Sequence, residues 1–263
     1  MVHDADGIPD RVMHPFARET RLSETSFVQS PEAGGADYRH RIWMPTGEIP
    51  FAGHPSLGTA VAVAQARGDT RAAFTQQTRA GLQPVEVEVA GDVWRAAMVQ
   101  EPARFGPVLE PGAVLACAGL DAADADPELP CQVVFTGAWQ VIAPVRDLGA
   151  LGRARADHAR IAPLLAEHDA IALYIAVPDP EAGTARARSF LATVAMGEDP
   201  ATGAAAGPLC AYLAARTGVE RLDITQGVEM GRPSLLRAAL EDGRVRLGGD
   251  VVVVIEGTVR LDT

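Results

Sequence analysis

Two stretches of the chain, Glu48–Gly53 (EIPFAG) and Glu198–Gly203 (EDPATG), carry glutamate, proline and glycine at a constant offset of 150 residues. Each stretch is followed by an alanine-rich segment with almost no charge, which predicts helices over residues 54–66 and 204–216. A helix that is apolar on all sides is usually buried. Two buried helices that begin in the same way at a fixed spacing indicate duplicated halves, each wrapped around its own central helix.

Short runs of β-forming residues, several of them alternating between polar and apolar, predict many strands around these helices. The predicted strands are residues 85–89, 93–99, 132–135, 139–145, 171–177, 187–195, 235–240, 244–247 and 251–255. The first four form two hairpins, and a turn at residues 231–234 precedes the strand at residue 235. This number of strands excludes an all-α fold, and the mixture with helices predicts the α+β class.

The halves are separated by segments rich in turn-forming residues. Residues 102–112 are rich in proline and glycine, and residues 121–130 in aspartate and proline. We therefore expect an N-terminal half over residues 1–110 and a C-terminal half over residues 111–263, whose last strand is free to return to the first half.

The composition excludes several classes of chemistry. The formal net charge is −11, and the chain contains no lysine, so all 23 residues counted as Lys or Arg are arginine. A Schiff base to pyridoxal phosphate or substrate needs a lysine amine, and a P-loop needs the lysine of its motif. An acidic chain without a basic run also lacks the charge pattern of a nucleic-acid-binding protein. We therefore expect no pyridoxal phosphate, no P-loop nucleotide and no nucleic-acid partner.

The sequence also bears on location. No apolar run reaches the roughly 18 residues that predict a membrane-spanning helix, and the N-terminus lacks the basic start and apolar core of a signal peptide. The three cysteines (Cys117, Cys131 and Cys210) are odd in number and widely spaced, which favours a reducing compartment over a disulfide framework. These features predict a cytoplasmic protein without a membrane partner.

Four motifs resemble one known family. Residues 48–60 (EIPFAGHPSLGTA) closely resemble the first signature of the PhzF-like, or phenazine biosynthesis-like, isomerases, and residues 198–203 resemble its second, EDPATGSA. Residues 22–28 (LSETSFV) and 226–234 (QGVEMGRPS) are similar to two further family segments, and all four occur in the family's order. The resemblance implies a diaminopimelate-epimerase-like fold, with two related halves that each roll a mixed sheet around a central buried helix. It places the site between the halves.

The resemblance assigns proton transfer to Glu24. In PhzF-like enzymes the glutamate of the LSE segment is the general acid and base, moving a proton between carbons of a small unsaturated ring acid. We expect burial to raise the pKa of Glu24 so that one carboxyl group takes and returns a proton near neutral pH. Ser23 and Thr25 are candidates to orient it. From the residues alone, Ser-Glu-Thr is also typical of a helix cap or surface turn.

The remaining site positions surround the starts of the two central helices. By resemblance His54 binds a substrate carboxylate or ring group, and Asp199 orients a substrate amine or hydroxyl or holds His54. Helix N-termini favour anions, although Asp199 could simply cap its helix. The other predicted substrate-binding residues are Gly53, Thr202, Gly203 and Ala204.

The chain departs from the family pattern in two places. The family's serine after the second ATG is Ala204 here, which removes a hydroxyl that could donate and accept hydrogen bonds. The first residues also correspond to the segment after the family's first strand and GNP loop. Two explanations are open: the sequence is a shortened version of the gene product, or the first half lacks one strand and part of a site wall. A missing strand would expose a sheet edge that another chain could cover.

Three functions remain open from the sequence. The first is a cofactor-independent isomerase acting on a small unsaturated or cyclic carboxylic acid. The second is an epimerase or racemase, but relatives of that type carry a cysteine near each helix start, where this chain has His54 and Ala204. The third is a non-catalytic ligand-binding or interaction protein. No metal site is predicted because the histidines form no ligand cluster, and a homodimer is expected from the resemblance.

Overall fold

The computed structural model describes residues 1–192 and 197–261. These residues form two compact units, one of Met1–Met98 with the residues from Gly248 onward, and one of Val99–Leu247. The first change of unit therefore comes earlier than residue 110, where the sequence analysis placed it. No helix in the described ranges is long and apolar enough to cross a membrane.

The first unit contains two helices and a mixed sheet. The elements are α1 (Asp10–Thr20), β1 (Thr25–Gln29), β2 (Tyr38–Met44), β3 (Gly47–Ile49), α2 (Gly53–Arg67), β4 (Arg71–Thr78), β5 (Gly81–Ala90) and β6 (Val93–Val99). The strand order is β1-β2-β4-β5-β6, with β3 paired to β2. Strands β2 and β4 run parallel and the other pairs antiparallel. One face of this sheet packs against α2 through aliphatic residues and two aromatic rings.

The described part of the second unit contains four α-helices and two short 3-10 helices, Ala122–Asp124 and Val228–Met230. Its elements are β7 (Arg104–Val108), α3 (Pro111–Ala116), β8 (Gln132–Phe135), β9 (Trp139–Pro144), α4 (Leu148–Arg153), α5 (His158–Glu167), β10 (Ala170–Asp179), β11 (Thr184–Leu191), β12 (Glu198–Asp199), α6 (Gly203–Thr217), β13 (Arg221–Gln226), β14 (Ser234–Glu241) and β15 (Arg244–Val251). The strand order is β15-β14-β13-β11-β10-β9-β8-β7, with β12 paired to β11. One sheet face packs on α6, and the other on α3, α4 and α5.

The two central helices confirm the repeat predicted from the sequence. Helices α2 and α6 each span 15 residues, and their first and last residues are offset by the same 150 positions. Both end at a glycine in the left-handed conformation, Gly68 with φ 78° and Gly218 with φ 76°. Every residue of α6 from Ala205 to Leu213 is buried, which explains why this segment carries no charge.

Most predicted strands are confirmed, including both hairpins. The β5–β6 pair closes with Ala90 opposite Val93, and the β8–β9 pair with Phe135 opposite Trp139. Strand β14 follows the predicted turn at residues 231–234. The strand predicted over residues 187–195 is present as β11 up to Leu191, and residues 193–196 lie outside the described part of the chain.

The strand predicted over residues 251–255 is wrong. Strand β15 extends to Val251 instead, because Gly248 fits against β6, where a Cβ atom would lie 2.7 Å from the carbonyl oxygen of Ala96. Residues 252–255 are in no strand and are exposed, Val254 to 85% and Ile255 to 88%. Their β-branched side chains favour a strand, but a strand also needs a neighbour for its backbone groups.

A polar cluster lies within the first unit. His40 on β2 is 1% exposed, and its ring nitrogens contact the side chains of Gln76 on β4, Ser26 on β1 and Thr59 on α2. Burial lowers the pKa of His40 to about 4 because the imidazolium form loses its hydration, although the bond to Gln76 opposes this. His40 is therefore neutral at physiological pH.

We predict that His40 makes the folded state sensitive to mild acid. As pH falls from 6.5 toward 4, the unfolded chain binds a proton at His40 that the folded chain does not, so the free energy of unfolding decreases. Urea unfolding at pH 7 and pH 4.5 should show the wild type losing on the order of 2 kcal/mol more than His40→Gln, which does not titrate. Equal losses in the two proteins would contradict the lowered pKa.

Candidate active site

Glu24 and His54 lie together in the first unit. Glu24 immediately precedes β1, and His54 is the second residue of α2. The Nε2 atom of His54 lies 3.0 Å from Oε2 of Glu24. The Glu24 side chain is 14% exposed and that of His54 52%, so the carboxylate is recessed while the imidazole reaches solvent.

The pKa of Glu24 is lowered, and the predicted rise is wrong. Burial raises the pKa, but hydrogen bonds from His54 and Ser23 and the charge of His54 together outweigh burial. Thr25 takes no comparable part, since its hydroxyl contacts that of Thr20 at 3.2 Å. Glu24 is thus a carboxylate at neutral pH, which is the form that accepts a proton.

The start of α2 adds a second favourable feature for an anion. Gly53 opens the helix, and Ala52 before it supplies no side-chain cap. The first N–H groups of a helix point along its axis and carry partial positive charge. The predicted binding positions Gly53 and His54 therefore share one helix terminus, next to the carboxylate of Glu24.

In the second unit, Asp199 and Thr202 contact each other across the loop before α6. The Thr202 hydroxyl donates to Oδ2 of Asp199 at 2.6 Å. Gln226 on β13 holds both residues, because its Nε2 donates to the Asp199 carbonyl at 2.6 Å and to the Thr202 hydroxyl at 3.0 Å. Its Oε1 accepts from the Thr202 backbone at 3.2 Å and from the Tyr174 hydroxyl at 2.8 Å.

Gln226 contacts two predicted site residues, and the sequence analysis did not single it out. Its signal was present, since it is the first residue of the QGVEMGRPS segment. The next residue must be glycine, because a Cβ atom on Gly227 would lie 2.3 Å from the Arg232 carbonyl and 2.8 Å from that of Pro200. The motif thus brings a buried amide and a close backbone approach to the loop that carries Asp199.

Gly203 and Ala204 form the first turn of α6. Thr202 gives α6 no side-chain cap, and its carbonyl accepts from the backbone of Ala205 and Ala206. The Gly203 carbonyl accepts from Nε2 of Gln100, whose Oε1 accepts from Thr136. Ala204 is half-buried at this terminus and brings no hydroxyl group.

An arginine–glutamate pair anchors the loop before each central helix. Arg41 on β2 donates a hydrogen bond to each carboxylate oxygen of Glu48, both at 2.8 Å. Arg188 on β11 donates to the two carboxylate oxygens of Glu198 at 2.8 and 2.7 Å, and also to the Leu151 and Ala154 carbonyls. Such two-pronged pairs fix direction as well as distance. The repeated glutamate of the two sequence stretches therefore sets where each helix begins.

The described structure brings the predicted residues together in two sets. Glu24, Gly53 and His54 belong to the first unit. The second unit holds the other set, which consists of Asp199, Thr202, Gly203 and Ala204. The described residues contain no group of three or more His, Cys, Asp or Glu side chains arranged to hold a metal ion.

The sequence profile of the family described as "Phenazine biosynthesis-like protein" matches residues 1–257. The chain belongs to this family. Its relatives include a trans-2,3-dihydro-3-hydroxyanthranilate isomerase from Pseudomonas fluorescens, 35% identical over 98% of this chain and 91% of the relative. Further relatives of similar identity are also named as isomerases, and this member of the phenazine biosynthesis-like family is an isomerase.

Solved structures confirm the predicted fold of this family member. A PhzF-family protein from Bacillus anthracis superposes with a TM-score of 0.82 at 26% identity, over 95% of this chain and 91% of the other. A probable proline racemase from Agrobacterium radiobacter superposes with a TM-score of 0.57 at 12% identity, over 89% and 76%. The second likeness concerns the fold alone.

We predict that His54→Ala raises the pKa of Glu24. The substitution removes the hydrogen bond and charge that outweigh burial, so the loss of hydration dominates. Carbon-13 NMR of glutamate-labelled protein measures this, with the Glu24 signal assigned by its absence in Glu24→Gln. His3→Ala, at an exposed histidine, is the control. If the pKa of Glu24 is unchanged or lower in His54→Ala, the contact with His54 is not what offsets the effect of burial.

We also predict that Glu198→Gln destabilises the protein by about 3 kcal/mol, because Arg188 keeps a buried charge without a charged partner. The side chain of Arg188 is 6% exposed. Glu229→Gln is the matched control, since Glu229 pairs with Arg186 on the same strand at 30% exposure and its loss should cost less than about 1 kcal/mol. Urea unfolding compares the two, and similar losses would show that Glu198 is not an anchor.

Proposed function

We propose that this isomerase moves a proton between carbon atoms of a small unsaturated or cyclic carboxylic acid, with Glu24 as the proton carrier and no cofactor. The observation that carries the proposal is the recessed Glu24 carboxylate, held 3.0 Å from His54 at the uncapped start of α2. Glu24 can act as the base, and His54 and the start of α2 can stabilise negative charge beside it. This combination suits an acid whose carbon loses and regains a proton.

The lowered pKa of Glu24 sets the order of events. The carboxylate first accepts a proton from a carbon of the substrate, and the electron pair of that C–H bond shifts through the unsaturated system toward the carboxylate-bearing end. Glu24 then delivers a proton to a different carbon after partial exchange of its carboxyl proton with solvent, so no electrons are gained or lost overall. Bound substrate reduces the hydration of Glu24, which favours its neutral form and promotes this second step.

His54 and the start of α2 supply the complementary charge. Negative charge develops on the substrate when its proton leaves, and preorganised donors near that charge lower the barrier. We place a substrate carboxylate beside the His54 ring and the first N–H groups of α2, including that of Gly53. His54 thus acts on Glu24 and on the substrate at once.

The second set of residues is proposed to bind polar substituents of a small carboxylic acid. Asp199 accepts from Thr202 through Oδ2, which leaves Oδ1 to accept from a substrate amine or hydroxyl. The start of α6 at Gly203 and Ala204 offers a further terminus for a carboxylate. The P. fluorescens relative is named for a hydroxylated amino acid of a dihydro ring, which has all three substituents.

The burial of the three cysteines argues against the epimerase or racemase alternative. Such a reaction needs a second base opposite the first, and thiolates serve that purpose on related folds. Cys117, Cys131 and Cys210 are all buried. Burial raises the thiol pKa of Cys131 and Cys210 to about 12, and that of Cys117 rises for the same reason, so thiolates are scarce at neutral pH.

The proposal is tested by solvent-deuterium uptake into a panel of small unsaturated and amino ring acids, followed by mass spectrometry. We expect uptake with the wild type, and a loss of about 10²- to 10⁴-fold in Glu24→Gln, because a positioned acid–base group contributes about that much. Glu19→Gln, at an exposed glutamate on α1, should retain full uptake.

The other outcomes would indicate a different base or a different function. Equal uptake by wild type and Glu24→Gln would assign the base to another residue. Binding of the acids without uptake, by a folded wild-type protein, would favour the ligand-binding role that Ala204 suggests. Replacement of the proton on one carbon by deuterium, with inversion of configuration at that carbon, would indicate an epimerase.

A further inference from the structure

His40 connects four elements of the first unit through its two ring nitrogens. It belongs to β2, and its Nδ1 lies 2.9 Å from Oε1 of Gln76 on β4. Its Nε2 lies 2.8 Å from the hydroxyl of Ser26 on β1 and 3.3 Å from that of Thr59 on α2. The cluster is enclosed, since all four side chains are at most 5% exposed.

The partners determine which nitrogen carries the proton. A carboxamide oxygen only accepts, so the contact with Gln76 requires a proton on Nδ1 of His40. In the neutral ring, Nε2 is then the acceptor, and the hydroxyl of Ser26 donates to it. The three partners are uncharged, so His40 acts on them through directed hydrogen bonds.

Two of these partners belong to the elements that carry the chemical pair. Ser26 lies two residues after Glu24, in the strand that Glu24 precedes. Thr59 lies five residues after His54 in the same helix, which is less than two turns. Nε2 of His40 is therefore a shared attachment point for the strand next to Glu24 and the helix that contains His54.

Stability alone does not account for a histidine at this position. The neighbouring inward-facing position on β2, Ile42, is filled by an aliphatic side chain, and a buried imidazole must be fully satisfied to avoid a desolvation penalty. Polar networks inside a core do, however, select one arrangement of the elements that they join, because hydrogen bonds fail when the geometry changes. A role in geometry therefore fits His40 better than a role in stability.

We propose that His40 is a positioning residue, which holds β1 against α2 through Nε2 and thereby sets the distance between Glu24 and His54. The catalytic meaning of that distance rests on the proposed function, whereas the distance itself does not. Misplacement of a reacting group by about 1 Å lowers rates by about 10²-fold. A small shift of β1 along α2 would therefore suffice to impair proton transfer.

The test uses two variants that separate the ring nitrogens. The side-chain amide of asparagine reaches about as far as Nδ1 of histidine, and that of glutamine about as far as Nε2. His40→Asn thus keeps the contact with Gln76 and loses the contacts with Ser26 and Thr59. His40→Gln keeps the contacts with Ser26 and Thr59 and loses the one with Gln76. Gln76→Leu removes the Nδ1 partner alone. Val87→Ala, in the same core, reports on general destabilisation.

We expect the pKa of Glu24, measured by carbon-13 NMR, to rise in His40→Asn and to stay at the wild-type value in the other three variants. Deuterium exchange should fall about tenfold or more in kcat for His40→Asn, with KM changed less than about twofold. His40→Gln should restore kcat to within about threefold of the wild type. This rescue would not occur if His40 served only the stability of the core.

Two results would overturn the proposal. One is a Glu24 pKa and a kcat in His40→Asn that match those of Val87→Ala at equal loss of stability. The other is an equal effect of His40→Asn and Gln76→Leu on the pKa of Glu24. If the wild type exchanges no substrate at all, the proposed function fails, but the pKa of Glu24 still decides whether His40 sets its contact with His54.

Discussion

The arrangement of the site depends on one kind of interaction, the two-pronged arginine–glutamate pair before each central helix. Arg41 with Glu48 and Arg188 with Glu198 tie a strand to the short segment from which α2 or α6 begins. Both pairs are largely buried, so they act with little screening by solvent. Each helix terminus, and each polar residue beside it, takes its position from a pair of this type.

On this frame, the properties of Glu24 follow from a balance between burial and contact. Burial favours the neutral acid, and the bonds from His54 and Ser23 favour the carboxylate. The two influences on this carboxyl group act in opposite directions, and the contacts prevail. Preorganisation by packed elements then matters more than any one contact, which is why the enclosed His40 cluster bears on the chemistry.

In the second unit, a different interaction holds the polar residues in place. Its loop is held by the buried amide of Gln226, which uses both of its polar atoms on the loop and on Tyr174. The lack of a side-chain cap on α6 follows from this arrangement, since the Thr202 hydroxyl is turned toward Asp199. Thr202, at the N-cap position, thus orients the carboxylate of Asp199 instead of capping α6.

The repeat, both central helices, the paired strands and the family could be predicted from the sequence, because they depend on local periodicity and on motifs along the chain. The sequence also predicted a strand over residues 251–255 from β-branched residues, yet pairing depends on a neighbour that propensity does not encode. The direction of the Glu24 pKa shift could not be predicted in this way, because His54 is thirty residues away in sequence and its contact, together with that of Ser23, outweighs burial. Gln226 and His40 became visible for the same reason, since the worth of a buried polar group lies in partners that are distant in sequence.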